Sequence, residues 1–245
     1  MNDLATRTVR EIALESPLTI SVFQNHNLDF CCGGRVPLAE ACAKAGIDTD
    51  MVLNDLAAVF ARELTPEERS AEQKSAQELI EHIVYTHHDF TRSEIARLIP
   101  LAEKVAGKHG EHRPELLKIR DITVTLGAEL NTHMQKEEMM LFPYIGSLER
   151  ALKAHRMAPF PTFGSVNNPI RTMMLEHDQA NDMLKHIRSL SSNYTPPEGA
   201  CPSYIGLFAG LENLEKDFHV HIHLENNILF PRAIEMEEQV FRDLD

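Results

Sequence analysis

His133-Met134-Gln135-Lys136-Glu137 runs on to Leu141-Phe142-Pro143, and the pattern returns 88 residues later as His221-Ile222-His223-Leu224-Glu225 followed by Leu229-Phe230-Pro231. Each His/Glu pair is spaced i, i+4, which on an α-helix sets an imidazole and a carboxylate on one face, one turn apart. One such pair is ordinarily a solvated surface pair. These two lie in apolar stripes: Leu126, Leu130, Met140 and Leu141 share the face of His133, with Asn131, Gln135 and Glu138 roughly opposite, and Leu214, Phe218, Ile222 and Leu229 share the face of His221. Both pairs are therefore expected to point into a helical core. Upstream, His88-Asp89 and His177-Asp178 repeat at an offset of 89. A duplicated helix pair accounts for all of these matches.

The rest of the chain reads as helix around this repeat. Gly is sparse (11 of 245 residues), Trp is absent, and Ala, Leu, Glu, Met and Lys recur in long runs. Four long helices are expected over 76–107 (with a break around Pro100), 114–152 (with an interruption at Pro143), 169–190 and 203–242 (with Pro231 inside). Loops of modest length join them, so the expectation is an all-α, up-down-up-down four-helix bundle over 76–245. Residues 1–65 read as a small helical domain. Ser16-Pro17 opens a helix over 18–26, Pro37 opens one over 37–45 that Gly46 closes, and Asp48 or Thr49 caps a third reaching about residue 63. The polar stretch 66–75 reads as a linker.

A formal net charge of −13 with no Lys/Arg run argues against nucleic acid and anionic membranes as partners. The first residues carry no apolar signal core, and no run of 18 apolar residues occurs, so a cytoplasmic protein is expected. The four cysteines, Cys31, Cys32, Cys42 and Cys201, give no disulfide framework.

His177 shares a stripe with Ile170, Met173, Met174 and Leu184 and faces inward. At His87-His88 periodicity slightly favours His87, but the repeat with His177-Asp178 favours His88. His219 and His223 are also i, i+4, but their stripe holds Glu212, Glu215, Lys216, Asn226 and Asn227. They are expected to be solvated, or to support ligands rather than to be ligands. The inward set is then His88, His133, Glu137, His177, His221 and Glu225. Burying two carboxylates and four imidazoles is costly unless something compensates them. Two divalent cations, each with two histidines and both bridged by the carboxylates, would do so and leave positions for water, an oxo or hydroxo group or a diatomic molecule. Such a donor set suits Fe, Mn or Zn, at the roughly 3.5–4 Å spacing of dinuclear sites. Ferritin-like proteins carry Glu-x-x-His instead, the reverse order.

Cys31-Cys32-Gly33-Gly34 is neither a zinc ribbon nor a Cys-x-x-Cys motif. Two packed thiols in a turn and an accessible thiolate for redox or metal-transfer chemistry are both open readings. Cys42 reads as packed, and Cys201 carries no assignment.

Over nearly its whole length the chain resembles the iron–sulfur cluster repair family, di-iron proteins called RIC (repair of iron centres). The resemblance rests on Asp29-Phe30-Cys31-Cys32-Gly33-Gly34, His88-Asp89, His133 to Glu137 with Leu141-Phe142-Pro143, Glu176-His177-Asp178, and His221 to Glu225 with Asn226-Asn227 and Leu229-Phe230-Pro231. It implies a hemerythrin-like bundle holding two iron ions on the six residues already named, with Cys31 and Cys32 as iron-transfer or redox thiols. It implies a bacterial cytoplasmic protein, a monomer or homodimer, that restores iron–sulfur clusters after nitrosative or oxidative stress by donating iron. Its clients would be the damaged iron–sulfur proteins. Reduction of nitric oxide to nitrous oxide at the di-iron site, or binding and sensing of O2 or NO, is the alternative function.

Overall fold

The computed structural model describes residues 2–30, 33–62 and 74–242, and among these the fold is all-α. Five short helices come first: α1 (Asn2–Thr6), α2 (Val9–Glu15), α3 (Thr19–Asn25), α4 (Leu38–Ala45) and α5 (Thr49–Phe60). Thr8 and Glu11 form a reciprocal capping box that starts α2, and Asp48 accepts from Asp50 N–H to start α5. Gly46 ends α4 in the left-handed region at φ 70°, where a side chain would be strained. Neither α1 nor α2 is among the expected helices, although Thr8-x-x-Glu11 is a legible cap. Ser16-Pro17 does not open a helix: Ser16 is the C-cap of α2, and α3 begins at Thr19 with no side-chain cap. The expected linker falls largely on residues outside those described, as do Cys31 and Cys32.

Four long helices follow. We number them α6 (76–109), α7 (115–153), α8 (Asn167–Leu190) and α9 (202–242). Ser75 and Glu78 cap α6 reciprocally. The early and late parts of α6 pack against the late and early parts of α7, and α9 closes the ring by packing antiparallel to α6. Close approach is required at two glycines. A Cβ on Gly127 would stand 2.8 Å from Ile95 Cγ2, and one on Gly210 would stand 2.7 Å from Leu98 Cδ2, so α7 and α9 both press onto α6.

The irregularities do not fall at the expected prolines. Pro100 lies inside the unbroken α-helix Asp89–His109, and it is exposed. The lost hydrogen bond is tolerated because the opposite face is anchored by buried Leu98 and Ala102. Three of the four long helices instead widen into π turns, at Ile83–His88, Glu137–Leu141 and Glu225–Leu229. In each, the next N–H reaches back five residues: Asp89 to Val84, Phe142 to Glu137, Phe230 to Glu225. Pro143 and Pro231 follow two of them, and lacking an N–H they make no demand for an α-helical acceptor just where the turn is wide. Because the π turn adds a residue, faces read at a constant 3.6 period slip beyond it. Met140, expected inside, is 40% exposed, and Glu138, expected opposite His133, turns toward α6.

Among the described residues, two hydrophobic clusters fill the interior. One runs from the N-terminal helices (Val9, Ile12, Phe23, Phe30, Leu56) into the bundle at Leu98, Leu126, Leu184 and Phe218. The other joins Leu79, Ile83, Ile145, Met173, Leu229 and Phe230. The buried histidines and glutamates form a polar layer between them.

Candidate metal centre

The structure brings His88, His133, Glu137, His177, His221 and Glu225 together, all buried. They form two overlapping groups, His88/His221 and His133/His177, each completed by the same two carboxylates, Glu137 and Glu225, with ligand atoms in each group within 4.8 Å of one another. The inner atoms are the Nε2 nitrogens. Those of His88 and His221 lie 3.2 Å apart, and those of His133 and His177 lie 3.0 Å apart. Glu137 Oε2 stands 3.4 Å from His88 Nε2 and 3.3 Å from His133 Nε2. Glu225 Oε1 stands 2.9 Å from His221 Nε2, and its Oε2 stands 3.1 Å from His177 Nε2. The π turns place these groups: His88 ends one, and Glu137 and Glu225 each begin one.

Electrostatics set the protonation. Burial and the neighbouring Glu225 push the Glu137 carboxyl up, but His133 and His88 outweigh them and hold it below the usual range. Burial likewise opposes ionisation of Glu225, yet His221, His177 and His88 pull it well below that range. Burial would lower His88 and His133, but the two glutamates, with Glu176 beside His133, raise each to about 10. At His221 burial wins and lowers it.

A cation fits this arrangement. Both oxygens of Glu137 and Oε2 of Glu225 are buried without a hydrogen-bond partner among the described residues, the kind of deficit a buried carboxylate avoids unless a metal fills it. The donors are imidazole and carboxylate, suited to Fe, Mn or Zn. The outward nitrogens are held in turn: His88 Nδ1 lies 2.6 Å from Glu138 Oε1, His133 Nδ1 lies 2.9 Å from Glu176 Oε2, and His177 Nδ1 lies 3.0 Å from Asn226 Oδ1. Arg92 pairs with Glu138 and Lys136 with Glu176. His133 and Lys136 draw the Glu176 carboxyl down to about 2. Such partners orient a ligating imidazole. Spacing along the sequence does not mark them as partners, although Glu176 and Asn226 stand in the motifs around His177 and Glu225.

His87 is outside both groups; its Nδ1 lies 2.9 Å from Asp217 Oδ1. His219 and His223 are also outside them, but they are not solvated. His223 is buried and His219 half-buried because Phe30 covers them, with ring centres 5.7 and 6.1 Å away. Part of the polar face of α9 is thus covered by the N-terminal segment, while Lys216 stays exposed. Gln24 donates to Lys216 O, Asn181 and Lys185 reach Asp29, and Arg188 reaches Asn27. Cys42 is buried, which raises its thiol, and Cys201 Sγ lies 3.5 Å from His109 Nε2. Among the described residues, no helix is long and apolar enough to cross a membrane.

Comparison with known proteins places residues 79–233 in the hemerythrin HHE cation binding domain and residues 5–59 in a domain of unknown function (DUF542). The chain is 36% identical over 232 residues to the iron-sulfur cluster repair protein YtfE of Dickeya chrysanthemi, covering 94% of this chain and 98% of that one. It is 35% identical over 225 residues to the protein of the same name from Escherichia coli O81, covering 91% and 94%. The Escherichia fergusonii protein matches to the same extent.

Proposed function

The chain belongs to the family of iron–sulfur cluster repair proteins built on a hemerythrin HHE cation-binding domain, and from that premise we propose that it restores clusters damaged by nitrosative or oxidative stress by donating iron from a two-iron centre. The observation that carries the two-iron reading is the sharing of Glu137 and Glu225 between two groups of buried histidines. His88 and His221 would hold one ion, His133 and His177 the other, and each carboxylate would lend an oxygen to both. Bound there, iron supplies a redox-active, exchangeable cation able to take a small ligand such as nitric oxide or dioxygen.

The side chains support exchange. Glu137 and Glu225 raise the proton affinity of His88 and His133, so protons compete with a cation at Nε2 of both. Were iron to leave, His88 and His133 would take up protons at those nitrogens, held by the ionised Glu137 and Glu225. The clients are damaged iron–sulfur proteins, and the setting is the cytoplasm, in keeping with an acidic chain of net charge −13 that repels nucleic acid.

The test is iron transfer. Anaerobically loaded protein carrying two Fe per chain is mixed with a nitric-oxide-damaged [4Fe–4S] enzyme in the presence of sulfide and a reductant. Recovery of the enzyme's activity, with matching loss of iron from the chain, is expected. Undiminished iron in the chain together with release of nitrous oxide on adding nitric oxide would replace donation with nitric oxide reduction.

A further inference from the structure

Three of the four inward imidazoles have their outward nitrogen held, and the holders obey the duplication. Glu138 on His88 and Asn226 on His177 stand 88 residues apart. The third holder is Glu176, on His133. His88 and His177 correspond at an offset of 89, so the position equivalent to Glu176 in the other repeat is His87. The imidazole equivalent to His133 is His221, at an offset of 88, and it is the one whose Nδ1 is buried without a partner.

His87 stands in that place. Its ring is parallel to that of His221, at 5° and 5.7 Å between centres. It is buried, and its Nε2 is a second buried nitrogen without a partner among the described residues. Its Nδ1 lies 2.9 Å from Asp217 Oδ1. A carboxylate only accepts, so Nδ1 carries the shared proton, and Nε2 is the ring nitrogen left without a partner among the described residues. A ligating histidine presents its other nitrogen as an N–H donor. The two leftover nitrogens therefore lie on neighbouring parallel rings, close but not bonded to each other in this arrangement. Asp217 is also one helical turn before His221 on α9, which ties the pair to the helix it would serve.

We infer that His87, anchored by Asp217, is the positioning residue for His221, replacing with an imidazole the carboxylate that Glu176 supplies to His133. The inference rests on the two-ion reading above. It gives each ion one histidine backed by a carboxylate (His88 by Glu138, His133 by Glu176) and one backed by a nitrogen-bearing side chain (His221 by His87, His177 by Asn226). The choice of His88 over His87 as the inner residue then leaves His87 with a task of its own.

The test uses the full, metal-free chain titrated with Co2+ against a chromophoric chelator, reading both affinity and the visible ligand-field bands. Wild type is expected to take two Co2+. His87→Ala is expected to weaken one of them by about 10–100-fold, the usual effect of losing such a partner, and to shift its bands while leaving the other ion unchanged. Asp217→Asn should fall between, and His87→Glu, which copies Glu176, should restore tight binding. Thermal unfolding of each metal-free variant is followed alongside, and if His87→Ala fails to fold, Asp217→Asn and His87→Glu carry the test. Two tight Co2+ in His87→Ala, or equal weakening of both ions, would overturn the inference and leave the two-ion reading standing. A wild type that takes fewer than two would overturn both.

Discussion

Glu138 and Asn226, 88 residues apart, occupy the same place in the two repeats: the Glu138 carboxylate lies 2.6 Å from His88 Nδ1, and the Asn226 amide oxygen lies 3.0 Å from His177 Nδ1. They differ in charge. Burial opposes ionisation of Glu138, but His88 and Arg92 hold its carboxyl below the ordinary range, so it is an anion at neutral pH. A charged acceptor holds an N–H more strongly than a neutral one. Glu138→Ala should therefore weaken the ion on His88 by about 10–100-fold, and Glu138→Gln, which keeps an acceptor, by less. Chelator competition reads this directly. Equal affinities for Glu138→Ala and wild type would show that Glu138 serves only its ion pair with Arg92.

Glu137 is a different case, because it faces both groups of histidines. Glu137→Ala should lower uptake to one metal ion per chain or less, and the loss should reach His133 as well as His88, unlike the single-ion effect expected at Glu138. Metal analysis after gel filtration decides. Full occupancy in Glu137→Ala would remove the bridging role.

Much of this was legible in the sequence because it depends on local spacing. The i, i+4 pairs, the apolar stripes around His177 and His221, and the 88-residue offset need only helical geometry. What escaped depends on two non-local facts. Each π turn slips the helical phase by a residue, which is why Met140 was placed inside and Glu138 outside. The N-terminal segment covers part of the polar face of α9, which is why His223, among Glu212, Glu215 and Asn227, reads as solvated or as a support for ligands although Phe30 buries it from nearly 200 positions away. The cap Thr8-x-x-Glu11 is a local signal for α2 that the sequence does carry.

That cover has a pH signature. Burial, with Arg10 adding to it, lowers the His223 imidazole to about 4, and the ring meets Phe30 and the Asn227 amide. The unfolded chain binds its proton near 6.5, so between pH 6.5 and 4 the unfolded state holds more protons than the folded one. The stabilisation is present above 6.5 and is lost as pH falls through about 4, a loss of roughly 3 kcal/mol at about 1.4 kcal/mol per unit. The window lies above the titration of Glu137 and Glu225, both lowered from 4.5. Urea unfolding of metal-free protein at pH 7 and pH 4.5 should show the decline, and His223→Gln should make it shallower, leaving the share of His82, His219 and His221, which burial also lowers. An unchanged acid limb in His223→Gln would assign the loss elsewhere.

Cys31 and Cys32 are bounded by residues whose packing is known. On one side Phe30 is buried against Phe23, His219 and His223, and the last two flank His221. On the other, Gly33 N–H donates to Asp29 Oδ1, and a Cβ at Gly34 would come within 2.6 Å of Phe30 O. Gly33 and Gly34 therefore sit against Asp29 and Phe30, and Phe30 is anchored on the helix that carries His221 and Glu225. If the thiols pass iron to clients, Cys31→Ser combined with Cys32→Ser should keep two metal ions per chain and the same unfolding midpoint, since Phe30, Gly33 and Gly34 are untouched, yet repair damaged clusters at a small fraction of the wild-type rate. Gly34→Ala should instead lower the midpoint by forcing Phe30 to move. Repair at the full rate by the double serine variant, with metal content unchanged, would make the cysteines packing residues and place iron transfer at the centre alone.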